Sequence, residues 1–571
     1  MRVSIKDISI VLLALGGLFS LSAAAAAQNA GHHGHDHGHE ATAGDSSQWR
    51  MPPMDMIMMM PGIQGRIPNV GPYLPGQGID PATIPAARSR EVMELADGDT
   101  IDLEAMLVRR VFKDDEFVMF GFNGQYPGPL IRVEQHSTIT VNFTNSIDMP
   151  STIHWHGIRL ANEFDGVPGV TQDAVQPGES FVYEVVFPDA GIYWYHPHVR
   201  EDIQQDLGLY GNMLVDSPDP DYYGPANREE ILILDDLLVD ERGLFPWGAE
   251  HTTHATMGRF GNLFLVNGKP GYSLEVTAGE VVRFHLTNVA NARALNVSFG
   301  GNAIKLVAGD LSRFEREEWV ESIVLAPAER YVVDVHFDKP GDFAFMNRAQ
   351  GLDHMMAEFV EAYDTLGVVT VRDGALEHDH RVTFAELRAY QEVTDDIEGY
   401  REHFDRLPDH EMVLTIRAGD LPAPVLLMMG VDTIYAPPVE WTDGMVDMNW
   451  LVTGRDITWL LREPATGREN LDLAWEFEQG DVIKLRIVND PLSFHPMHHP
   501  IHIHGQRFLV LDQDGRRKEN LVWQDTALIP VGTTVDLLVE MSNPGDWMIH
   551  CHTAEHLSAG MAMVFTVHPS P

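Results

Sequence analysis

Among the histidines that stand one residue apart, four pairs lie in the apolar, repeat-equivalent stretches of the chain: His154 and His156, His196 and His198, His502 and His504, and His550 and His552. Side chains at i and i+2 of a strand share a face, so each pair would present two imidazoles together. Eight such rings are a nitrogen donor set, and imidazole suits copper, zinc, iron and nickel. The last pair encloses Cys551, the single cysteine of 571 residues. On a strand Cys551 faces away from both neighbours, so one segment would reach two pockets. His556 and Met561 follow Cys551 at intervals of five residues, and His499 opens the motif HPIHIHG. Two imidazoles, a thiolate and a thioether are the donors of a blue copper site. One His-x-His pair alone is more often structural, and a buried cysteine alone more often packs as a small hydrophobe. Four pairs together with the Cys-His-Met spacing favour metal binding over both.

The elements that must hold these residues recur three times. FNGQYPGPLIRVEQHSTITVNFTN from Phe122, VNGKPGYSLEVTAGEVVRFHLTN from Val266 and FEQGDVIKLRIVN from Phe477 are versions of one pattern, an alternating strand pair joined at Gly or Pro. Downstream the rhyme continues, and the three copies end in HPH, MNR and HCH. Upstream the corresponding stretches are HWHG, NVSFGG and HPIHIHG. Short strands of Val, Ile, Phe and Tyr at regular turn spacing predict an all-β chain of three Greek-key β-sandwiches, placed at 88–217, 225–375 and 405–571. Histidines persist in the outer copies and are missing from the middle one, which predicts a site between the first and third sandwiches. ELRAYQEVTDDIEGYREHF, from Glu386, predicts a helical linker between the second and third.

HWHG, HPH, HPIHIHG and HCHTAEHLSAGM resemble the four copper signatures of the three-domain multicopper oxidases, a family that includes laccases and bacterial copper-resistance oxidases. The repeat pattern covers nearly everything after residue 88. The resemblance implies three tandem cupredoxin-like domains and four copper ions. It implies a type 1 copper on His499, Cys551, His556 and Met561, and a type 2 copper on His154 and His502. Paired type 3 coppers would take His156, His196 and His552 on one ion and His198, His504 and His550 on the other. Electrons from a one-electron donor would enter at the type 1 site and pass through Cys551 to the flanking histidines, and dioxygen would be reduced to water at the three-copper cluster. Asp165, in EFDGVPGVTQ, matches an acidic position that the family uses beside the cluster, and is expected to deliver protons or orient the type 2 water. Some bacterial relatives have a Glu directly after the second type 1 histidine; here that residue is Leu557, and Glu555 is the substitute candidate.

A copper storage protein would need no HCH bridge, and a copper nitrite reductase would need no paired type 3 histidines. Within the oxidases, a laccase-like enzyme acting on phenolic or similar donors ranks ahead of a metallo-oxidase acting on Cu(I) or Fe(II). The third domain lacks a long Met-rich insertion near the type 1 site, which would leave that copper open to organic donors. The N-terminal residues combine Arg2 and Lys6 with an apolar run from Ile10 to Phe19 and alanines ending at Ala27, the signature of a secretory signal over 1–27. A periplasmic or secreted protein follows. The tail at 28–87 carries GHHGHDHGHE and MPPMDMIMMMPG, donors suited to Cu(II) and Cu(I) respectively. HMM at His354 to Met356 and the pair Met428 and Met429 are weaker soft-donor candidates. A net charge of −45 disfavours nucleic acid and anionic membranes as partners. Three domains in one chain suffice for both sites, so a monomer is expected.

Overall fold

The computed structural model describes residues 70–112, 115–241, 243–353, 358–419, 421, 439–442 and 446–570. The signal region, residues 28–69 of the His/Met-rich tail, HMM at 354–356, Met428 and Met429 lie outside the described residues. Strands dominate, and among the described residues no helix is long and apolar enough to cross a membrane.

The first sandwich uses β1 (Val92–Glu94), β2 (Thr100–Phe112), β3 (Asp115–Phe122), β4 (Leu130–Glu134), β5 (Thr138–Asn145), β6 (His154–His156), β7 (Ser180–Val186), β8 (Gly191–His196) and β9 (Gly211–Asp216). One sheet has the order β3-β2-β5-β7 and the other β1-β4-β9-β8-β6. Short helix α1 (Glu201–Gln204) follows the HPH motif. In the second sandwich are β10 (Arg228–Leu237), β11 (Leu263–Val266), β12 (Tyr272–Thr277), β13 (Glu280–Asn288), β14 (Leu295–Phe299), β15 (Ala303–Ala308), β16 (Arg313–Val320), β17 (Ile323–Leu325), β18 (Arg330–Phe337), β19 (Gly341–Asp353) and β20 (Glu358–Arg372). Its sheets run β11-β10-β13-β18-β15-β16 and β12-β20-β19-β14-β17.

Between the second and third sandwiches, helix occupies Gln391–Glu398 (α2) and shorter turns flank it, rather than the whole stretch from Glu386. Ala389 instead bridges to Arg316 at the edge of β16, which holds that part of the linker extended. The third sandwich is built from β21 (His410–Ala418), β22 (Ile457–Arg462), β23 (Trp475–Glu478), β24 (Val482–Asn489), β25 (His499–Ile503), β26 (Arg507–Gln513), β27 (Thr526–Ile529), β28 (Thr534–Glu540), β29 (Gly545–Cys551) and β30 (Ala562–His568), with α3 (Ala554–Ser558) before the last strand. Its site-bearing sheet has the order β23-β30-β29-β25-β27.

The three sandwiches repeat one ladder. β4 lies parallel to β9, which is antiparallel to β8, which is antiparallel to β6. β12, β20, β19 and β14 reproduce that sequence of contacts, as do β23, β30, β29 and β25. The two strands of each sequence repeat do not pair with one another. β4 and β5 enter opposite sheets, as do β12 with β13 and β23 with β24, because the short turn between them, Gln135-His136-Ser137 in the first and Gly-containing in the other two, crosses from one layer to the other. Each repeat therefore staples a sandwich together. Alternation is plain in β5, whose residues are buried at every second position, whereas β13 is buried throughout because neighbours cover both faces.

Candidate metal centre

Strand register brings the histidine pairs together before any side chain is considered. His154 lies opposite His196 across β6 and β8, and His502 lies opposite His550 across β25 and β29. The outer sandwiches then face one another with interleaved rings: His156 stacks on His502 at 3.8 Å between centroids, and His154 lies against His504 at 4.1 Å with the rings tilted by 32°. All eight histidines are buried. Their ring nitrogens converge in groups, with ligand atoms within 4.8 Å of one another: His154, His156 and His502; His156, His196 and His552; His198, His504 and His550. Cys551, His499 and His556 form a separate buried group, since strand alternation turns the thiol to the other side of β29.

Which nitrogen is free tests whether metal fits. His154, His196, His502 and His550 donate from Nδ1 to the backbone carbonyls of Asp165, Pro197, Asp525 and Cys551 at 2.8 to 3.0 Å. The Nε2 atoms of His154, His196, His198 and His502 have no partner although they are buried, and neither nitrogen of His552 has one. Nε2 of His504 and Nε2 of His550 face each other at 3.0 Å. His156 is reversed: Nε2 is engaged at 3.0 Å by Asp525, and Nδ1 is the nitrogen left without a partner. Buried nitrogens without partners are costly unless something binds them. Rings fixed through one nitrogen with the other pointed at a shared centre are the arrangement of metal-binding histidine. Burial, then repulsion from neighbouring imidazoles, pushes His196, His504 and His550 well below the ordinary histidine range, so these rings are neutral and able to ligate.

Two carboxylates are exchanged between the outer sandwiches. Asp165 Oδ2 accepts from Nδ1 of His504 at 2.8 Å, and Asp525 Oδ1 accepts from Nε2 of His156. Both aspartates are almost inaccessible to solvent. Burial alone would push the Asp525 carboxyl up, but the Arg330 guanidinium and His156 outweigh it and hold it well below the usual carboxylate range. Sequence reasoning singled out Asp165 and missed Asp525, Arg330 and Glu201, whose Oε1 lies 3.2 Å from Nδ1 of His198. A signal existed for each: an acid inside the apolar run LVWQDTALIP, a cation inside APAERYVVDV, and an acid three residues after His198. Glu555 is not at the histidine cluster. It is buried beside Asn291, whose Nδ2 donates to it at 3.0 Å.

In the thiol pocket, Cys551 Sγ lies 3.5 Å from Nδ1 of His499 and 3.7 Å from Nδ1 of His556, and those nitrogens are 3.2 Å apart. Met561 is buried, and its backbone carbonyl and amide hydrogen-bond Cys551 and His556. Burial pushes the thiol up to about 12, so its conversion to thiolate requires a cation in the pocket. Here the open face expected from the sequence is absent. His499 and His556 are 1% and 0% exposed, because Trp459 packs on both rings at 4.9 and 4.2 Å. The Trp459 indole is itself fixed by donating to the Ala255 carbonyl at 2.7 Å.

Family comparison agrees with this construction. Three family models, each described as multicopper oxidase, match residues 109–220, 235–366 and 456–571, together more than half of the chain. The chain belongs to the multicopper oxidase family, and its cofactor is copper of types 1, 2 and 3. Multicopper oxidase MmcO of Mycobacterium tuberculosis is 26% identical over 471 residues, 77% of this chain and 81% of that protein. Copper resistance protein A of Escherichia coli is 24% identical over 548 residues, 77% and 87% of the two chains. A crystal structure of a multi-copper oxidase from Pseudomonas thermotolerans is 25% identical, covers 83% of this chain and all of its own, and superposes with a TM-score of 0.59.

Proposed function

We propose that this copper-dependent oxidoreductase is laccase-like, oxidising phenolic or similar small organic donors by one electron each while reducing dioxygen to water. In this reading His499, Cys551, His556 and Met561 hold the type 1 copper, and His154 and His502 the type 2. His156, His196 and His552 hold one type 3 ion, and His198, His504 and His550 the other. Bound copper would supply one-electron redox chemistry and a four-electron store for dioxygen. The observation that carries the reading is that Cys551 is peptide-bonded to a histidine of each type 3 group, so one segment links the two pockets covalently.

The protein's own groups exclude water, fix rings and place protons. Asp165 is suited to proton handling, because Oδ2 engages His504 while Oδ1 makes no hydrogen bond. Glu201, buried beside His198, is a second candidate for the same work. For the donor, a cleft of about 410 Å³ between the second and third sandwiches supports an organic molecule. Leu295, Val324 and Val510 line it, with Asn296 and Lys518 as polar groups, and His498, the neighbour of His499, forms part of its wall. That size and mixed lining suit a one-ring or two-ring aromatic.

The second reading, a metallo-oxidase for Cu(I) or Fe(II), draws on the copper-resistance relative and on the His/Met-rich tail. Oxygen uptake compared with a dimethoxyphenol, Cu(I) and Fe(II) separates the two: turnover on the phenol at a rate matching or exceeding the metals upholds the first, and turnover on metal ions alone overturns it. The signal region at 1–27 supports export to the periplasm or beyond, the charge of −45 weighs against nucleic acid and anionic membranes as partners, and we infer a monomer.

A further inference from the structure

Asp165 and Asp525 hold matching places in the outer sandwiches, yet their surroundings differ in two respects, the first being that the Thr526 hydroxyl donates to Asp525 Oδ1 at 2.8 Å while Asp165 Oδ1 has no hydrogen-bond partner. Each accepts the Nδ1–H of its own sandwich's first histidine at its backbone carbonyl, and each sends its carboxylate to the second histidine of the other pair. Only Asp525 also meets a guanidinium. Arg330 Nη1 and Nη2 donate to its two oxygens at 2.7 and 2.6 Å, a bidentate fork in a fully buried setting.

Arg330 belongs to the middle sandwich, which contributes no histidine to the cluster, and it touches all three. Nε donates to the Ile192 carbonyl of the first sandwich, Nη1 also to Ala328 and Nη2 also to Asp310 of the second, each at 3.2 Å. All five N–H groups are therefore used, a pattern lysine cannot reproduce. Asp310 adds a second grip, its carboxylate accepting the backbone N–H groups of Arg330, Asp525 and Thr526. At the other end of the fork the consequence is visible in His156, the ring whose Nε2 is engaged and whose Nδ1 is free. His504, engaged by the unclamped Asp165, has the opposite arrangement.

We propose that Arg330 is a positioning residue of the trinuclear cluster: by clamping Asp525 it makes His156 present Nδ1, and so sets the geometry of the site from a sandwich that supplies no ligand. The proposal rests on the cluster assignment given above. Without the guanidinium, the Asp525 carboxylate is a buried anion with no cation, and only Oδ1, through Thr526 and His156, keeps a hydrogen-bond partner. His156 Nε2 then keeps only the Thr526 hydroxyl, at 3.2 Å, in place of a fixed carboxylate, and a half-turn of the imidazole exchanges the two nitrogens.

The test uses the copper-loaded full chain and compares wild type with Arg330→Lys, Arg330→Met, Asp525→Asn and the double variant Arg330→Met/Asp525→Asn. Arg283→Met is the control, because Arg283 and Asp334 form a buried bidentate pair at 2.9 Å inside the middle sandwich, away from every cluster histidine. Copper content, blue absorption and electron paramagnetic resonance are read with the unfolding temperature. The expected result for both Arg330 variants is an unchanged blue signal, with the spin-coupled copper pair, silent in wild type, becoming visible or being lost. In the double variant the effect should equal that of Asp525→Asn alone, since Arg330 acts through Asp525. Arg283→Met should lower the unfolding temperature and leave the cluster spectrum intact. If Arg330→Met does not fold, Arg330→Lys decides alone. An unaltered cluster spectrum in Arg330→Lys, an equal change in Arg283→Met, or additive losses in the double variant would each overturn the proposal. A wild-type protein with no coupled pair would overturn the cluster assignment, and the proposal with it.

Discussion

Gly157, the last residue of HWHG, offers a test of the buried clamp that does not depend on copper. Its φ is +83°, and a Cβ added there would lie 2.5 Å from Asp525 Oδ2, 2.6 Å from Arg330 Nη2 and 3.2 Å from the Tyr193 ring. Two penalties should add in Gly157→Ala. The left-handed backbone costs about 1–2 kcal/mol for a residue with a side chain. Forcing apart a fully buried ion pair costs about 3–5 kcal/mol more, because the Asp525 carboxylate has no other cation beside it, although Arg330 keeps Asp310 at 3.4 Å. Gly169 provides the reference: its φ is +75° and an added Cβ meets nothing within 4 Å, so Gly169→Ala should lose only the first penalty. Urea unfolding of both variants without copper, followed by tryptophan fluorescence, measures the difference. We expect Gly157→Ala to lose about 3–5 kcal/mol more than Gly169→Ala. Equal losses would refute the reasoning, because they would mean that the Arg330–Asp525 contact yields without cost.

Replacing Cys551 with Ser removes the thiolate and leaves the eight cluster histidines in place; blue colour and oxidase activity should vanish together while the folded protein retains cluster copper, and a blue or active variant contradicts the assignment. Asp165→Asn should slow turnover by about 10²–10⁴-fold with a shifted pH profile and leave reduction of the type 1 site by donor nearly unchanged, which rapid-mixing reduction and reoxidation resolve separately. Burial, reinforced by Asp202, pushes the Glu555 carboxyl from its ordinary value near 4.5 up to about 8. The group is neutral when folded and ionised when unfolded across that window, so its contribution is fully present below pH 4.5 and is lost as pH rises through 8. Glu555→Gln should abolish a decline on the order of 5 kcal/mol, seen as a flatter dependence of urea stability on pH than in wild type. Deleting residues 31–60 should leave activity normal at ample copper and slow activation at limiting copper, because tethered imidazoles and thioethers raise the local metal concentration; superimposable copper titrations of both forms would assign the tail no such role.

The amino-acid sequence by itself determined the repeat, the all-β class and the family, because these rest on local periodicity and on motifs whose spacing is set by strand geometry. His154 with His156, or Cys551 against His550 and His552, need only the alternation of a strand to be read correctly. Met561 and His556 follow within one turn and one short helix of Cys551, so their approach to it is also local. What lies across sandwiches was decided by tertiary structure. Asp525 and Arg330 stand 195 positions apart and meet only because the middle and third sandwiches pack against each other. Nothing in WQDTAL states that the carboxylate will reach His156 rather than a histidine of its own sandwich. The identity of the free nitrogen on each ring is likewise a tertiary property, since it depends on which acceptor lies behind the imidazole. Closure of the thiol pocket follows the same rule: the third sandwich supplies Trp459, but the carbonyl that fixes its indole comes from Ala255, in a loop that sequence reading had no reason to place over His556. Periodicity reports what a strand does to its own side chains, whereas burial and pairing report what distant strands do to each other.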